Sequence, residues 1–195
     1  MIAAVVLAAG LSRRMGRPKL PLPWGEKTVI EKVVQSVLDG GVEQVLVVTG
    51  GARQEVEAAL DRWPVQFVFN PHYADQEMLV SLQIGLRALG GDIVAALVCL
   101  GDQPQIQAEV VRKIYEAYQQ DQSAIVVPSY HMRRGHPWLL PREHWNEVLA
   151  LPAESNLRAY LQTNAGIIHY VVVDTPSILA DLDTPQDYQA KTPGR

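Results

Sequence analysis

Leu7-Ala8-Ala9-Gly10-Leu11-Ser12-Arg13-Arg14-Met15-Gly16-Arg17-Pro18-Lys19 completes and follows the apolar run Ile2–Leu7. That run reads as the first buried strand of an α/β sheet. The loop after such a strand supplies small residues, free backbone N–H groups and cations, the surroundings a nucleoside triphosphate needs. Ala8, Ala9 and Gly10 let a base and ribose approach the main chain. Gly16 and Pro18 shape the turn, while Arg14 and Lys19 bring positive charge toward the phosphates. The pattern is neither a Walker A loop nor a Gly-x-Gly-x-x-Gly dinucleotide fingerprint. The plainer alternative is a Gly-containing βα loop with solvated cations.

Outward from this loop, apolar runs alternate with amphipathic segments, the pattern of a mostly parallel sheet flanked by helices. Strands are expected at Ile2–Leu7, Gln44–Thr49, Val65–Asn70, Ile93–Leu100, Ala124–Pro128 and Ile167–Val173. Val29, Val33 and Val37, with Ile30, Val34 and Leu38, give one helix an apolar face that ends at Gly40-Gly41. Further helices are expected at Gln54–Leu60, Met78–Leu89, Glu109–Tyr118, Arg142–Leu149 and Ser155–Leu161. In the Met78–Leu89 helix, Leu79, Leu82, Leu86 and Leu89 form the core stripe, with Ser81 and Gly85 on a different face. The continuous run Ile93–Leu100 suits a central strand buried on both sides. Tyr130–Trp138 reads as an elaborated loop, followed by a short strand through Leu140. The last residues, Lys191–Arg195, are expected to fray.

The 195 residues are 48% hydrophobic and 19% charged, which fits a single globular domain with a real core. Within that domain, about the first 104 residues are expected to bind nucleotide and the remainder an acceptor. A net charge of −4 without a long basic block argues against nucleic acid as a partner. Arg13, Arg14, Arg17 and Lys19 instead form a local patch suited to a small polyanion. The lone Cys99 lies in an apolar strand and excludes an intramolecular disulfide. Met1–Gly10 has neither the basic leader of a signal peptide nor the length of a membrane span, so cytoplasmic residence is expected.

Two carboxylate segments complete the chemistry. Gly101-Asp102-Gln103-Pro104 lies at the carboxyl end of the most buried strand, where ligands of open sheets bind. Asp102 there is suited to a hard cation such as Mg²⁺, or simply to capping a turn. Asp181-Leu182-Asp183-Thr184-Pro185 opens a C-terminal helix, with Asp183 or Thr184 as its N-cap and Pro185 in its first turn. His131 and His136 have no zinc-like partners in the sequence.

The Leu7–Lys19 stretch resembles the signature Leu-Ala-Ala/Gly-Gly-x-Ser-x-Arg-Met/Phe-Gly-x-x-Lys of the nucleotidyltransferases related to the molybdenum cofactor guanylyl- and cytidylyltransferases. The match covers Leu7, Ala8, Ala9, Gly10, Ser12, Arg14, Met15, Gly16 and Lys19. The resemblance implies a Rossmann-like three-layer α/β fold and Mg²⁺-dependent transfer of a nucleoside monophosphate onto a phosphorylated acceptor, with release of pyrophosphate. It makes Asp102 and Asp183 the metal ligands, with Asp181 a nearby alternate, and gives Arg14, Lys19 and Asp102 the catalytic roles. Leu7, Ala8, Ala9, Gly10, Ser12, Arg14, Lys19 and Ser81 would hold the nucleotide. Met78 and Ser81-Leu82 resemble the family's Gly-Met-x-x-Ser-Leu segment, although Glu77 stands where glycine is usual. Pro128–Pro137 resembles the family's Gly-x-x-Gly-His-Pro loop, with Met132 in place of its first glycine. Arg133, Arg134 and His136 would thereby receive the acceptor, joined by Arg158, the one residue kept from a Gly-Asp-x-Gly-Ala-Arg segment.

Ala9, Gly-Asp-Gln-Pro and the Gly-His-Pro loop together favour the cytidylyltransferase branch. The resemblance therefore implies CTP over GTP, a molybdopterin-type acceptor, and transient contact with a molybdoenzyme. Two alternatives stand beside it: transfer to another phosphorylated metabolite such as a sugar phosphate, or a non-catalytic nucleotide-binding chaperone for molybdoenzyme maturation. Two retained metal carboxylates speak against mere binding.

Overall fold

The computed structural model describes residues 1–74 and 78–193. In chain order the elements are β1 (Ile2–Ala8), a 3₁₀ turn (Arg13–Met15), β2 (Pro23–Trp24), β3 (Lys27–Thr28), α1 (Val29–Asp39), β4 (Gln44–Thr49), α2 (Arg53–Ala59) and β5 (Val65–Phe69). They continue with α3 (Met78–Ala88), β6 (Ala95–Leu100), α4 (Ala108–Gln120), β7 (Ile125–Tyr130), β8 (Arg133–Arg134) and β9 (Trp138–Pro141). The chain closes with α5 (Trp145–Ala150), α6 (Leu157–Thr163), β10 (Ile168–Val172) and α7 (Pro185–Lys191).

One sheet runs in the order β10-β7-β9-β6-β1-β4-β5, with β8 added on β7. It passes without a break across the boundary near residue 104. β1 lies between β4 and β6, parallel to both, with Val5 opposite Leu46 on one side and Val98 on the other. Each parallel pair is joined through a helix, as parallel pairing requires. β8 and β9 are the exceptions: β8 runs antiparallel to β7, and β9 antiparallel to both β6 and β7. The chain leaves β7 and re-enters the sheet after the short 131–137 segment, too little chain for a parallel crossover.

The two sides of β1 supply two cores. Ala4, Val6 and Ala8 face α1 and α4, while Ala3 and Val5 face α3, α5 and α6. Side chains alternate along a strand, so covering both faces requires an apolar residue at every position. This is the expected three-layer α/β architecture with a mostly parallel sheet. On α1, Val29, Ile30, Val33, Val34 and Val37 are buried, and Thr28 with Glu31 forms a capping box at its start. Each such aliphatic side chain contributes roughly 1.5–3 kcal/mol when fully buried.

The structure differs from the sequence expectation at several places. β6 begins at Ala95, because Ile93 closes a turn on Gly90 and Val94 bonds back to the Met1 carbonyl. The α3 contact arc is wider than a leucine stripe, since a Cβ on Gly85 would stand 2.5 Å from Val5 Cγ1. The expected 142–149 helix is split into a 3₁₀ turn and α5. The expected loop after β7 contains the strand β8, reached through His131 and Met132 in left-handed backbone with φ of 46° and 62°. At the other end, α7 includes Lys191, whose Nζ donates to the Asp181 carbonyl at 2.7 Å, so that residue is tied rather than frayed. Among the described residues no helix is long and apolar enough to cross a membrane.

Candidate active site

β1 and β6 end side by side, and the Gly101 N–H donates to the Leu7 carbonyl at 3.0 Å. A Cβ on Gly101 would lie 2.9 Å from that same carbonyl oxygen, so glycine permits the two strand tips to meet. The chain beyond each tip borders a cleft of about 270 Å³. Leu7, Ala8, Ala9, Gly10, Ser12, Lys19 and Ser81 all line it, together with Asp102 and Asp181.

The loop after β1 is held at three points. Met15 is buried in the core, the Met15 N–H donates to the Ser12 carbonyl at 2.9 Å, and the Lys19 N–H donates to Ser12 Oγ at 3.2 Å. Ser12 and Gly16 take left-handed backbone with φ of 51° and 71°, which turns the chain so that Lys19 points back to the strand tips. Ala9 is 5% exposed, with its carbonyl accepting from the Gly51 N–H at 3.2 Å. A Cβ on Gly10 would meet no protein atom within 4 Å, so the space beside it is open.

Charge is concentrated at one place. Lys19 Nζ lies 2.5 Å from Asp102 Oδ2 and 3.5 Å from Asp183 Oδ1, and Arg14 holds Asp183 Oδ2 at 3.0 Å. The Lys19 and Asp102 side chains are only 14% and 20% exposed, so water screens their attraction weakly, whereas Arg14 at 73% is largely solvated. Asp181 joins from the same segment. Burial pushes its carboxyl above the ordinary range, the charges of Asp102 and Asp183 add to this, and Gln103 and Lys19 oppose it. Among the described residues no three His, Cys, Asp or Glu side chains gather tightly enough to hold a metal unaided. Asp102 and Asp183, already sharing one cation between them, are hard oxygen donors that suit a divalent ion completed by phosphate oxygens and water.

Thr184, rather than Asp183, caps α7: its hydroxyl accepts from the Asp187 N–H, and Asp187 answers in a capping box. That leaves the Asp183 carboxylate for Lys19 and Arg14. Ser81 is buried at the cleft wall, where Asn70 Nδ2 donates to its oxygen at 3.0 Å, and among the described residues its hydroxyl proton has no acceptor. Glu77 lies outside the described residues.

The proposed acceptor residues are more dispersed. Arg158 borders a shallow depression of about 240 Å³ together with Met78, which also lines the main cleft. Arg133 and Arg134 are exposed on β8, with the Arg134 guanidinium 5.3 Å over the Tyr170 ring, and neither borders the cleft. His136 stands apart from these arginines. Burial draws its pKa down to about 4, so the ring is neutral at neutral pH and offers a hydrogen bond rather than a positive charge. It packs 5.1 Å from the Trp138 ring, and its Nε2 is buried without a partner.

Three contributors escape a sequence reading. Tyr73 lines the cleft from the turn after β5, Asn70 orients Ser81, and Gln103 binds Asp181. Only Gln103 carried a signal, as the unexplained amide of Gly-Asp-Gln-Pro. Cys99 is a buried thiol with its pKa pushed far up by desolvation, which suits packing and not nucleophilic chemistry.

Residues 4–168 match the family model described as the MobA-like NTP transferase domain. The molybdenum cofactor cytidylyltransferase of Escherichia coli K12 is 28% identical over 96% of this chain and 93% of its own length. The nicotine blue oxidoreductase of Paenarthrobacter nicotinovorans is 27% identical over 94% and 92%. Among solved structures, a nucleotidyl transferase from Methanothermobacter thermautotrophicus superposes with a TM-score of 0.83 at 31% identity, covering 98% of this chain and 96% of that one. The Rv0371c protein of Mycobacterium tuberculosis, solved in complex with manganese, gives 0.81 at 27% identity, with coverage of 98% and 97%. The chain belongs to the MobA-like NTP transferase family and is a nucleotidyltransferase.

Proposed function

We propose that this MobA-like NTP transferase moves CMP from CTP onto the terminal phosphate of a molybdopterin-type acceptor, with Mg²⁺ held by Asp102 and Asp183. The observation that carries the reading is the charge cluster of Lys19, Asp102, Asp183 and Arg14 beside the small-residue cleft. CTP is supported by Ala9 in the cleft wall, and the acceptor by the name of the Escherichia coli relative. The first 104 or so residues would carry the nucleotide, the remainder the acceptor, within one domain.

An acceptor phosphate oxygen attacks the α-phosphorus in line, and a new P–O bond forms there. The bond from that phosphorus to the bridging oxygen of the β-phosphate breaks, and pyrophosphate leaves with the electron pair. A phosphate monoester has a second pKa of about 6, so the nucleophile is already largely dianionic and needs no general base. Lys19 leaves its carboxylates to meet charge growing on the α-phosphate, while Arg14 holds the β- and γ-phosphates. Ala8 and Gly10 present backbone to the sugar, and Ser81 donates its hydroxyl proton to base or ribose. A bound divalent ion supplies Lewis-acid charge to the phosphoryl oxygens. Most of the acceleration then comes from positioning and fixed charge. Arg158, Arg133 and Arg134 offer charge to the acceptor, and His136 a neutral ring.

The test is pyrophosphate release across a panel of four nucleoside triphosphates, molybdopterin and sugar phosphates, with Mg²⁺ present or chelated. Release with CTP and molybdopterin, lost on chelation, is expected. Turnover with sugar phosphates alone would move the reading to another acceptor, and no turnover with any pair would refute it.

A further inference from the structure

We propose that Gln103 is a positioning residue, whose side-chain amide holds the Asp181 carboxylate in the cleft as a third anionic group beside Asp102 and Asp183. The inference deepens the nucleotidyl-transfer reading and rests on it. Gln103 is 2% exposed, and its Nε2 donates to Asp181 Oδ1 at 2.5 Å and to the Ile178 carbonyl at 3.4 Å. Both partners are acceptors, so the amide can face them only with its NH₂. Its own Oε1 is left buried without a partner. A buried acceptor left unpaired costs free energy, and such an arrangement persists when the donor side is needed.

The same junction is fastened from the backbone. The Leu182 N–H donates to the Asp102 carbonyl at 3.2 Å, and Lys191 Nζ donates to the Asp181 carbonyl at 2.7 Å. The segment from Ile178 to Asp183 is thereby tied to the tip of β6, although it follows some eighty positions later in the chain, 78 between Gln103 and Asp181. A neutral amide suits this task for a physical reason. A carboxylate at 103 would repel Asp181, and a buried ammonium would incur a large desolvation cost. With one oxygen committed to Gln103, Asp181 has a second oxygen for the water shell of a divalent ion beside Asp102. Partners that orient metal-site groups in this way commonly change metal affinity or activity by about 10- to 100-fold when removed.

The test uses Gln103→Met, which keeps the length of the side chain without the donor, alongside Asp181→Asn and the double variant. Mn²⁺ affinity is read by electron paramagnetic resonance with CTP present, together with kcat and KM for CTP. We expect each variant to weaken Mn²⁺ by about tenfold and to lower kcat, with KM for CTP within about twofold of wild type. The double variant should be no worse than the more damaged single one, because Gln103 acts through Asp181. A folded Gln103→Met protein with wild-type Mn²⁺ affinity, or fully additive losses, would overturn the proposal. If Gln103→Met does not fold, Asp181→Asn decides: unchanged Mn²⁺ affinity overturns it. A wild-type chain that binds no Mn²⁺ with CTP would instead defeat the functional reading and this inference with it.

Discussion

Lys19 Nζ sits 2.5 Å from Asp102 Oδ2, two residues that are 83 positions apart in the chain. Their charges cancel inside a partly buried pocket, and the contact extends to Asp183, held in turn by Arg14. The ammonium therefore stands where, on the proposed reading, the positive charge of a metal would be felt. On the proposed reading, a triphosphate entering the cleft would offer Lys19 and Arg14 new anionic partners and release both carboxylates.

The first consequence concerns metal binding. Lys19→Ala should raise the affinity of the nucleotide-free protein for Mn²⁺, because a competing cation is gone. The same variant should lower kcat on the order of 10²-fold, with a smaller change in KM, since a positioned electrostatic donor is lost. Paramagnetic resonance titration and steady-state kinetics check the two halves. Unchanged Mn²⁺ affinity would show that the ammonium does not compete.

Asp102→Ala should fold and still bind CTP weakly without metal, yet lose turnover by several kcal/mol of transition-state stabilisation. Near-wild-type turnover at saturating Mg²⁺ rules out a metal role for this residue.

Ala9 bears on nucleotide choice. It is 5% exposed in the cleft wall, and on the proposed reading its methyl group would press on a larger base. A methyl-sized difference is worth about 1–3 kcal/mol, so CTP should be preferred to GTP by roughly 10- to 200-fold. Ala9→Gly should narrow that ratio without having to reverse it. The comparison is kcat/KM for both nucleotides with one acceptor, and a ratio unmoved by the substitution contradicts this account.

Met132 lies at φ 62° and is 96% exposed, in the turn between β7 and β8. Left-handed backbone costs a non-glycine residue about 1–2 kcal/mol, and glycine's extra chain entropy offsets roughly 0.5–1 kcal/mol of that. Met132→Gly should therefore stabilise the fold by about 0.5–1 kcal/mol in denaturant titration, and a loss of stability would contradict the strain.

His136 makes the fold sensitive to acid. Its folded pKa is about 4, against an ordinary value of 6.5, because burial disfavours the charged ring. Between these values the unfolded chain takes up a proton that the folded chain does not. The neutral ring's contribution is thus complete above pH 6.5 and is lost progressively as pH falls to about 4. His136→Gln should flatten the stability profile across that window. An identical slope in wild type and variant would show that the ring is not desolvated.

By itself the sequence determined the alternation of strands and helices, because a sheet covered on both faces demands apolar residues at successive positions of its central strands. It also determined the loop from Leu7 to Lys19, where small residues and cations lie close together along the chain and need no partner to be recognised. Tertiary structure alone decided what depends on distance between remote segments. The meeting of Lys19 with Asp102 and Asp183, and the hold of Gln103 on Asp181, follow from where β6 and the α7 approach converge. The antiparallel course of β9 follows from too short a connection. Burial decided the state of His136, since the charge on a ring depends on the water around it and not on its neighbours in sequence.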